Sequence, residues 1–316
     1  MKGGGIKGLA YVGALEELSK FYKFNWFVGT SAGAITAILL GAGYTPAELR
    51  QLMSEKNFRD FFDASWIAKP FNLAFHGGFH PAKSFTDWLD ELLAKKLRSH
   101  SRVKLSQLPY RVTVYACRRG QQTLRFDSVD NDVDAAYAAR CSMSIPIVFT
   151  PQADQGINTY DGGLHQNYPV EQLLKDHPDI PFVSLFLGSE VYEPVRQRVI
   201  IDVFSIWMEG ADAEAVAQYR DRTVIIDARP IGTLDFALSD DEKYYLLTCG
   251  RAGALSHLCD GSPECHEAWA ARDKLKVIIE SARSLRRRNW WISVGLWTLG
   301  AVLLAGGLYA AFRLLL

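Results

Sequence analysis

The sequence predicts an α/β fold with a largely parallel sheet, on three observations. Strand-like and helix-like stretches alternate through residues 1–230, the order that builds strand–helix–strand units. Residues 180–187 form a nearly continuous apolar run, as expected of a strand covered on both faces. Residues 27–40 read as a short apolar strand, a Gly29-Thr30-Ser31-Ala32-Gly33 turn and an Ala-rich helix. With 316 residues, the chain can bury a substantial core in one large domain or two smaller ones.

The chain opens on Gly3-Gly4-Gly5-Ile6-Lys7-Gly8, and apolar residues then recur at helical spacing through Leu18. A glycine-rich loop at a helix start offers unpaired backbone N–H groups to an anion. A phosphate-binding loop would need Ser or Thr after its lysine, and Gly8 follows Lys7. A dinucleotide fold would need a preceding strand and an acidic residue about 20 positions on, where Trp26, Phe27 and Val28 stand. The oxyanion of an acyl-transfer intermediate fits better, provided that its donors lie near a nucleophile. Ser31, 23 residues beyond Gly8, leaves room for one helix and the next strand. It occupies the apex of a nucleophile-elbow pattern, in which small neighbours let strand and helix approach and the helix N-terminus favours developing negative charge.

Residues 45–60 are predicted helical, with Thr45 as N-cap and Pro46 in the first turn. Phe58, Phe61, Phe62, Trp66, Phe71, Phe75 and Phe79 then crowd a stretch broken by Pro and Gly. Core packing is one reading and a lipid-facing entrance another. His76 and His80 fall four apart, but Gly77-Gly78 argues against the helix that a metal pair would need, so both are assigned to a loop. Residues 81–97 form an amphipathic helix carrying Phe85, Trp88, Leu89, Leu92 and Leu93 on one face. Strands are predicted at 111–117 and 122–128, and a helix at 134–143 ends before Ile145-Pro146.

Thr159-Tyr160-Asp161-Gly162-Gly163 admits two readings. It is a turn, or it is a carboxylate at a strand end whose glycines allow close approach to another loop. Beyond it, a helix is predicted at 199–219, a strand at 223–228 and a helix at 242–258. The segment from Cys259 to His266 matches no standard zinc spacing, and neither a metal nor a cofactor is expected.

Thirty-five basic residues balance thirty-five acidic ones, so no net field argues for nucleic acid. Five irregularly spaced cysteines favour reduced thiols on the cytoplasmic side, and no signal peptide follows Met1-Lys2. From Trp290 to Leu316 the only charge is Arg313. About 22 residues of this run would span roughly 33 Å as a helix, a hydrocarbon core's thickness. Basic residues at 283–288 and paired tryptophans precede it. A C-terminal membrane anchor over 290–312 is therefore expected, behind a basic linker at 281–289 and with the preceding domain in the cytoplasm.

Gly3 to Gly8, Gly29 to Gly33, Asp161-Gly162-Gly163 and the segment Cys141-Ser142-Met143-Ser144-Ile145-Pro146-Ile147-Val148-Phe149 together resemble the patatin-like phospholipase family, over roughly residues 3–190. The resemblance implies a three-layer α/β sandwich with a mostly parallel central sheet over residues 1–280, followed by the transmembrane helix. It implies a metal-independent lipid acyl hydrolase acting on a phospholipid or other lipid ester, and the C-terminal run adds the membrane as a partner. Ser31 would be the nucleophile, Asp161 its general base, and the loop of Gly3, Gly4, Gly5 and Gly8 the oxyanion hole. Gly29, Thr30, Ala32 and Gly33 would form the elbow, and Gly162 and Gly163 would flank the aspartate. Lys7 matches a basic position of the family and is given no chemical step. The family's loop follows a first strand, whereas only Met1 and Lys2 precede Gly3, so a start upstream of Met1 is expected, or else an impaired site. Two alternatives stay open: a Ser-His-Asp triad completed by His165, His177, His257 or His266, and a membrane-tethered scaffold with a relict site.

Overall fold

The computed structural model describes residues 1–118, 120–130, 132–165, 167–188, 212–258 and 261–315, without side chains at 121, 122, 213 and 290–315. The chain forms two compact units, Met1–Arg272 and Asp273–Leu316.

In the first unit a 3-10 turn (Gly5–Leu9) runs into α1 (Ala10–Leu18), followed by β1 (Trp26–Thr30), α2 (Ala32–Gly41), α3 (Pro46–Glu55) and α4 (Ala68–His76). Next come β2 (Gly78–His80), α5 (Lys83–Leu97), β3 (Arg111–Arg118), β4 (Gln121–Asp127), α6 (Ala135–Ser142) and β5 (Ile147–Phe149). The unit continues through β6 (Gln152–Asp154), β7 (Ile157–Asp161), α7 (Val170–Asp176), β8 (Ser184–Leu187), α8 (Asp212–Gln218), β9 (Thr223–Ile226) and α9 (Asp240–Leu258). The last helix, α10 (Pro263–Leu315), passes unbroken through the basic stretch 281–289.

The expectation of a mostly parallel sheet is corrected: the sheet is mixed. In the five-stranded sheet β1 and β3 pair in parallel, but β4 and β7 both lie antiparallel to β3, and β6 lies antiparallel to β7; the separate two-stranded pairs β2–β5 and β8–β9 are parallel. For β4 and β6 the cause is local. β6 and β7 are joined by Gln155 and Gly156, both at positive φ (49° and 78°), the two-residue reversal whose twist suits a hairpin. Gly120, at φ 83°, lies in the turn between β3 and β4.

β3 organises the unit. Its first five residues pair with β1, from Trp26↔Arg111 to Thr30↔Tyr115. The next three pair with β7, from Ala116↔Asp161 to Arg118↔Thr159. β1 runs with β3 and β7 against it, so their C-terminal ends meet at Tyr115 and Ala116. Residues 30 and 161, far apart in the chain, thus face consecutive positions of one strand.

Met1 and Lys2 extend this arrangement. The Met1 nitrogen donates to Val28 O (2.8 Å), Thr30 N–H donates to Met1 O (3.2 Å), and Lys2 N–H donates to Leu185 O (3.1 Å). The two residues therefore bridge β1 and β8 just ahead of the glycines.

α2 is buried at nine of its ten residues, which accounts for its all-round apolar sequence. α3 begins as predicted: Thr45 Oγ1 accepts from Glu48 N–H (3.2 Å) and Glu48 Oε2 accepts from Thr45 N–H (2.7 Å), a reciprocal cap. It stops at Glu55, and a separate 3-10 turn (Phe58–Phe61) occupies the end of the predicted 45–60 helix. The predicted 180–187 strand shortens to Ser184–Leu187, because Pro181 has no N–H for a ladder. The loop assigned to His76 and His80 is also corrected. His76 closes α4 and His80 lies in β2, while Gly77 between them takes φ 76° and caps the helix.

Residues 199–211 of the predicted 199–219 helix lie outside the described residues, as do Cys259 and Asp260. Among the described residues no helix is long and apolar enough to cross a membrane. The expected anchor at 290–312 has a helical backbone, and its side chains lie outside the description.

Candidate active site

Ser31 stands at the reversal from β1 to α2, with φ 52° and ψ −119°. This conformation costs a non-glycine residue about 1–3 kcal/mol and persists only when its surroundings impose it. Here the restraint comes from Ser142. Ser31 N–H donates to Ser142 Oγ (2.8 Å), and Ser142 Oγ–H donates to Tyr115 O (2.6 Å). The elbow is thus tied to β3 through a fully buried hydroxyl.

Asp161 ends β7 and is completely buried. Its N–H donates to Ser144 O (3.0 Å), its carbonyl accepts from Cys117 Sγ (3.3 Å), and its Oδ1 accepts from Gly163 N–H (2.7 Å). Among the described residues Oδ2 has no hydrogen-bond partner. The Ser31 hydroxyl is nevertheless near enough to stabilise the ionised form; such contacts are commonly loose before substrate binds. Burial is the larger effect and pushes the Asp161 carboxyl up to about 7, with Ser31 and Gly163 pulling the other way. Gly162 permits this approach, since a Cβ there would sit 2.4 Å from Tyr115 O and 2.9 Å from the Thr30 side chain. Both sequence readings of this segment therefore hold, as the carboxylate closes a strand and a tight turn follows.

The glycine loop divides by role. Gly3 N–H is already committed to Asn167 O (2.9 Å), so the expectation of a free donor there is corrected. Gly8 lies within the 3-10 turn, where its missing side chain leaves room for Ala32. The N–H groups of Gly4 and Gly5, and that of Ala32 after the serine, donate to nothing among the described residues. Gly5 takes φ 56°, and a Cβ would lie 2.1 Å from Thr233 O. Gly29 and Gly33 face each other across the elbow, while Thr30 is buried in β1 beneath it.

Lys2 and Ser142 carry roles that the sequence reading did not assign. Lys2 Nζ lies 3.0 Å from Asp212 Oδ2, with both side chains almost fully buried, and donates to Leu187 O (3.3 Å). Asp212 Oδ2 also accepts from Asn167 Nδ2 (3.1 Å), and Asn167 O holds Gly3. A buried ion pair thus anchors Lys2 and the loop after it. Two letters before a glycine run carry no signal for such a role.

Beside Ser31 opens a pocket enclosing about 690 Å³ of non-atom space, its mouth included. Gly5, Gly8 and Ala32 line it, and its walls are otherwise almost wholly apolar, among them Leu39, Met53, Phe61, Trp88 and Phe149. No histidine lines it. His165 is exposed, with Nδ1 3.4 Å from Thr123 Oγ1, and the His177 ring packs on Trp26 at 4.8 Å. His266 Nδ1 lies 2.9 Å from Ser262 O, and burial together with Arg220 lowers the pKa of His257. Among the described residues no cluster of His, Cys, Asp and Glu suits a metal ion.

A serine elbow, a buried carboxylate and an apolar pocket are what an ester hydrolase needs, and residues 1–174 match the family model described as patatin-like phospholipase. The chain belongs to the patatin-like phospholipase family. It is 26% identical to the uncharacterized protein YqhO of Bacillus subtilis, over 79% of this chain and 93% of that one. It is 25% identical to the probable lipid hydrolase 463L of invertebrate iridescent virus 6, over 56% of this chain and 63% of that protein. Among solved structures it resembles VipD from Legionella pneumophila, with a TM-score of 0.54 and 16% identity over 81% of this chain and 65% of VipD. That likeness concerns the fold, a patatin-like α/β architecture.

Proposed function

We propose that the chain hydrolyses fatty-acyl esters of lipids, phospholipids among them, with Ser31 as nucleophile and Asp161 as general base. The observation that carries this reading is the meeting of β1 and β7 on β3, which brings a strained serine to a buried carboxylate beside an apolar pocket. Asp161 accepts the hydroxyl proton as Ser31 Oγ attacks the ester carbonyl. The oxyanion is held by the N–H groups of Gly4 and Gly5, joined by that of Ala32, each donor stabilising the transition state by about 2.7–4 kcal/mol. Asp161 returns the proton to the leaving alcohol. A water molecule then attacks the acyl-serine, giving its proton to Asp161, which passes it to the departing Ser31 Oγ as the fatty acid is released. The apolar pocket suits the acyl chain.

The C-terminal residues 290–312 are proposed to anchor the enzyme in a membrane with its catalytic unit on the cytoplasmic side. The apolar run and the arginines before it support this reading, and it would keep the site at high effective concentration beside its substrate. The test is the full chain in mixed-lipid vesicles, with released fatty acid and lysolipid identified by mass spectrometry. Ser31→Ala should abolish release and labelling by a fluorophosphonate while leaving vesicle association unchanged. Undiminished release by that variant overturns the assignment.

A further inference from the structure

Helix α4 has no buried residue. Trp66 and Ile67, just ahead of it, are 82% and 65% exposed, and Phe71 and Phe75 within it are 56% and 71% exposed. Solvent-facing surfaces carry such side chains singly, whereas here five fall within residues 66–75, with Leu73 the fifth. Lys69 is the only Lys, Arg, Asp or Glu between Ala64 and His80. The Phe71 and Phe75 rings pack on each other, with centroids 4.6 Å apart, yet both remain open to solvent.

This segment is fastened at both ends to the wall of the Ser31 pocket. Upstream, Phe58 and Phe61 line the pocket. The Phe62 ring lies 5.8 Å from that of Phe149 and 4.8 Å from that of Phe236, both of them pocket residues. Downstream, β2 pairs with β5, setting Gly78 opposite Ile147 and His80 opposite Phe149, while Asn72 Nδ2 donates to Phe79 O (3.2 Å). Ile147 is itself 55% exposed and sits at φ 71°, a conformation that a β-branched residue rarely takes.

Outward Trp and Phe rings with no acidic group beside them match the apolar face of a helix that lies in a membrane interface. We propose that residues 66–75 and Ile147 form the surface on which the catalytic unit seats against a lipid bilayer. This rests on the lipid-hydrolase reading above, because the substrate of that site resides in the same bilayer. Seating would hold the pocket wall against the lipid surface, independently of any tether at the C-terminus.

The test uses the full chain reconstituted in phosphatidylcholine vesicles, with the triple variant Trp66→Ser, Phe71→Ser, Phe75→Ser beside the unaltered protein. Hydrolysis of the vesicle lipid should fall about tenfold or more, given the apolar area withdrawn from the interface. Cleavage of a soluble short-chain ester should stay unchanged. Equal loss on both substrates, or loss on neither, overturns the proposal. If the unaltered protein cleaves neither substrate, the hydrolase reading itself fails, and the surface is judged by fluorescence. Brominated phosphatidylcholine should then quench the emission that distinguishes the unaltered protein from Trp66→Phe. An unquenched difference signal overturns the proposal, including the case in which a protein partner covers the patch instead.

Discussion

Asp161→Asn should make the protein more stable at neutral pH while removing its activity. In the folded chain burial raises the Asp161 carboxyl from 3.8 to about 7. For an acid raised in this way, the unfolded state ionises first. The penalty is absent below about pH 4, grows by about 1.4 kcal/mol per pH unit up to pH 7, and stays near 4 kcal/mol above it. Asparagine carries no charge and so escapes this dependence. Its carbonyl oxygen can still accept from Gly163 N–H, and its amide replaces Oδ2, which has no hydrogen-bond partner among the described residues. An unpartnered buried amide adds an offset of about 1–3 kcal/mol, but that offset is the same at every pH. The diagnostic is therefore the change in the stability gap between variant and unaltered protein from pH 5 to pH 8, about 2–3 kcal/mol in favour of the variant. In thermal unfolding of the full chain in detergent, this corresponds to a shift of about 5–10 °C in the difference between the two midpoints. Curves that remain parallel across this range would mean that Asp161 titrates normally, and the argument from burial would fail. Loss of the general base should also lower kcat on a soluble ester by about 10²–10⁴-fold.

Three further outcomes follow from the same geometry. If ionised Asp161 is the base, kcat/KM should rise about tenfold per pH unit below about pH 7 and level off above it; a flat profile between about pH 5 and pH 8 excludes that role. Ser142→Ala strips Ser31 N–H and Tyr115 O of their shared partner and should cost about 1–3 kcal/mol in urea unfolding, with a lower kcat, and an unchanged midpoint would show that the hydroxyl is dispensable. Lys2→Met leaves Asp212 buried without its ammonium partner and should destabilise by about 3–5 kcal/mol, much of it recovered in Lys2→Met with Asp212→Asn, and no recovery in that pair would argue against a direct ion pair.

Much of the site was legible because its signals are local. Thr45, Pro46 and Glu48 specify a helix start within one turn, and the structure forms that cap. The alternation of small and apolar residues from Phe27 to Leu40 specifies a strand, a reversal and a helix, because a serine at φ 52° requires glycines on both sides to let the backbones pass. The aromatic stretch after Phe58 was harder to read. Its rings serve the pocket wall at Phe58 and Phe61 and an exposed helix at Phe71 and Phe75, and the same residue type suits both environments. Parallel pairing was overestimated because apolar strand patterns record burial and leave direction open. Gly120 and Gln155-Gly156 decided the direction of β4 against β3 and of β6 against β7, whereas β7 against β3 is a long-range pairing.

The serine elbow, the glycine loop, the aspartate before paired glycines and the apolar C-terminal run are readable from the chain alone, since each depends on neighbouring residues only. What needed the tertiary structure is that β1 and β7, whose ends carry Thr30 and Asp161, meet on consecutive residues of β3. In that register Tyr115 pairs with Thr30 and Ala116 with Asp161. The same is true of the burial that holds the Asp161 carboxyl near 7 and of the Lys2–Asp212 pair behind the glycines. Register, desolvation and buried charge pairing are sums over residues distant in the chain, so no local pattern encodes them.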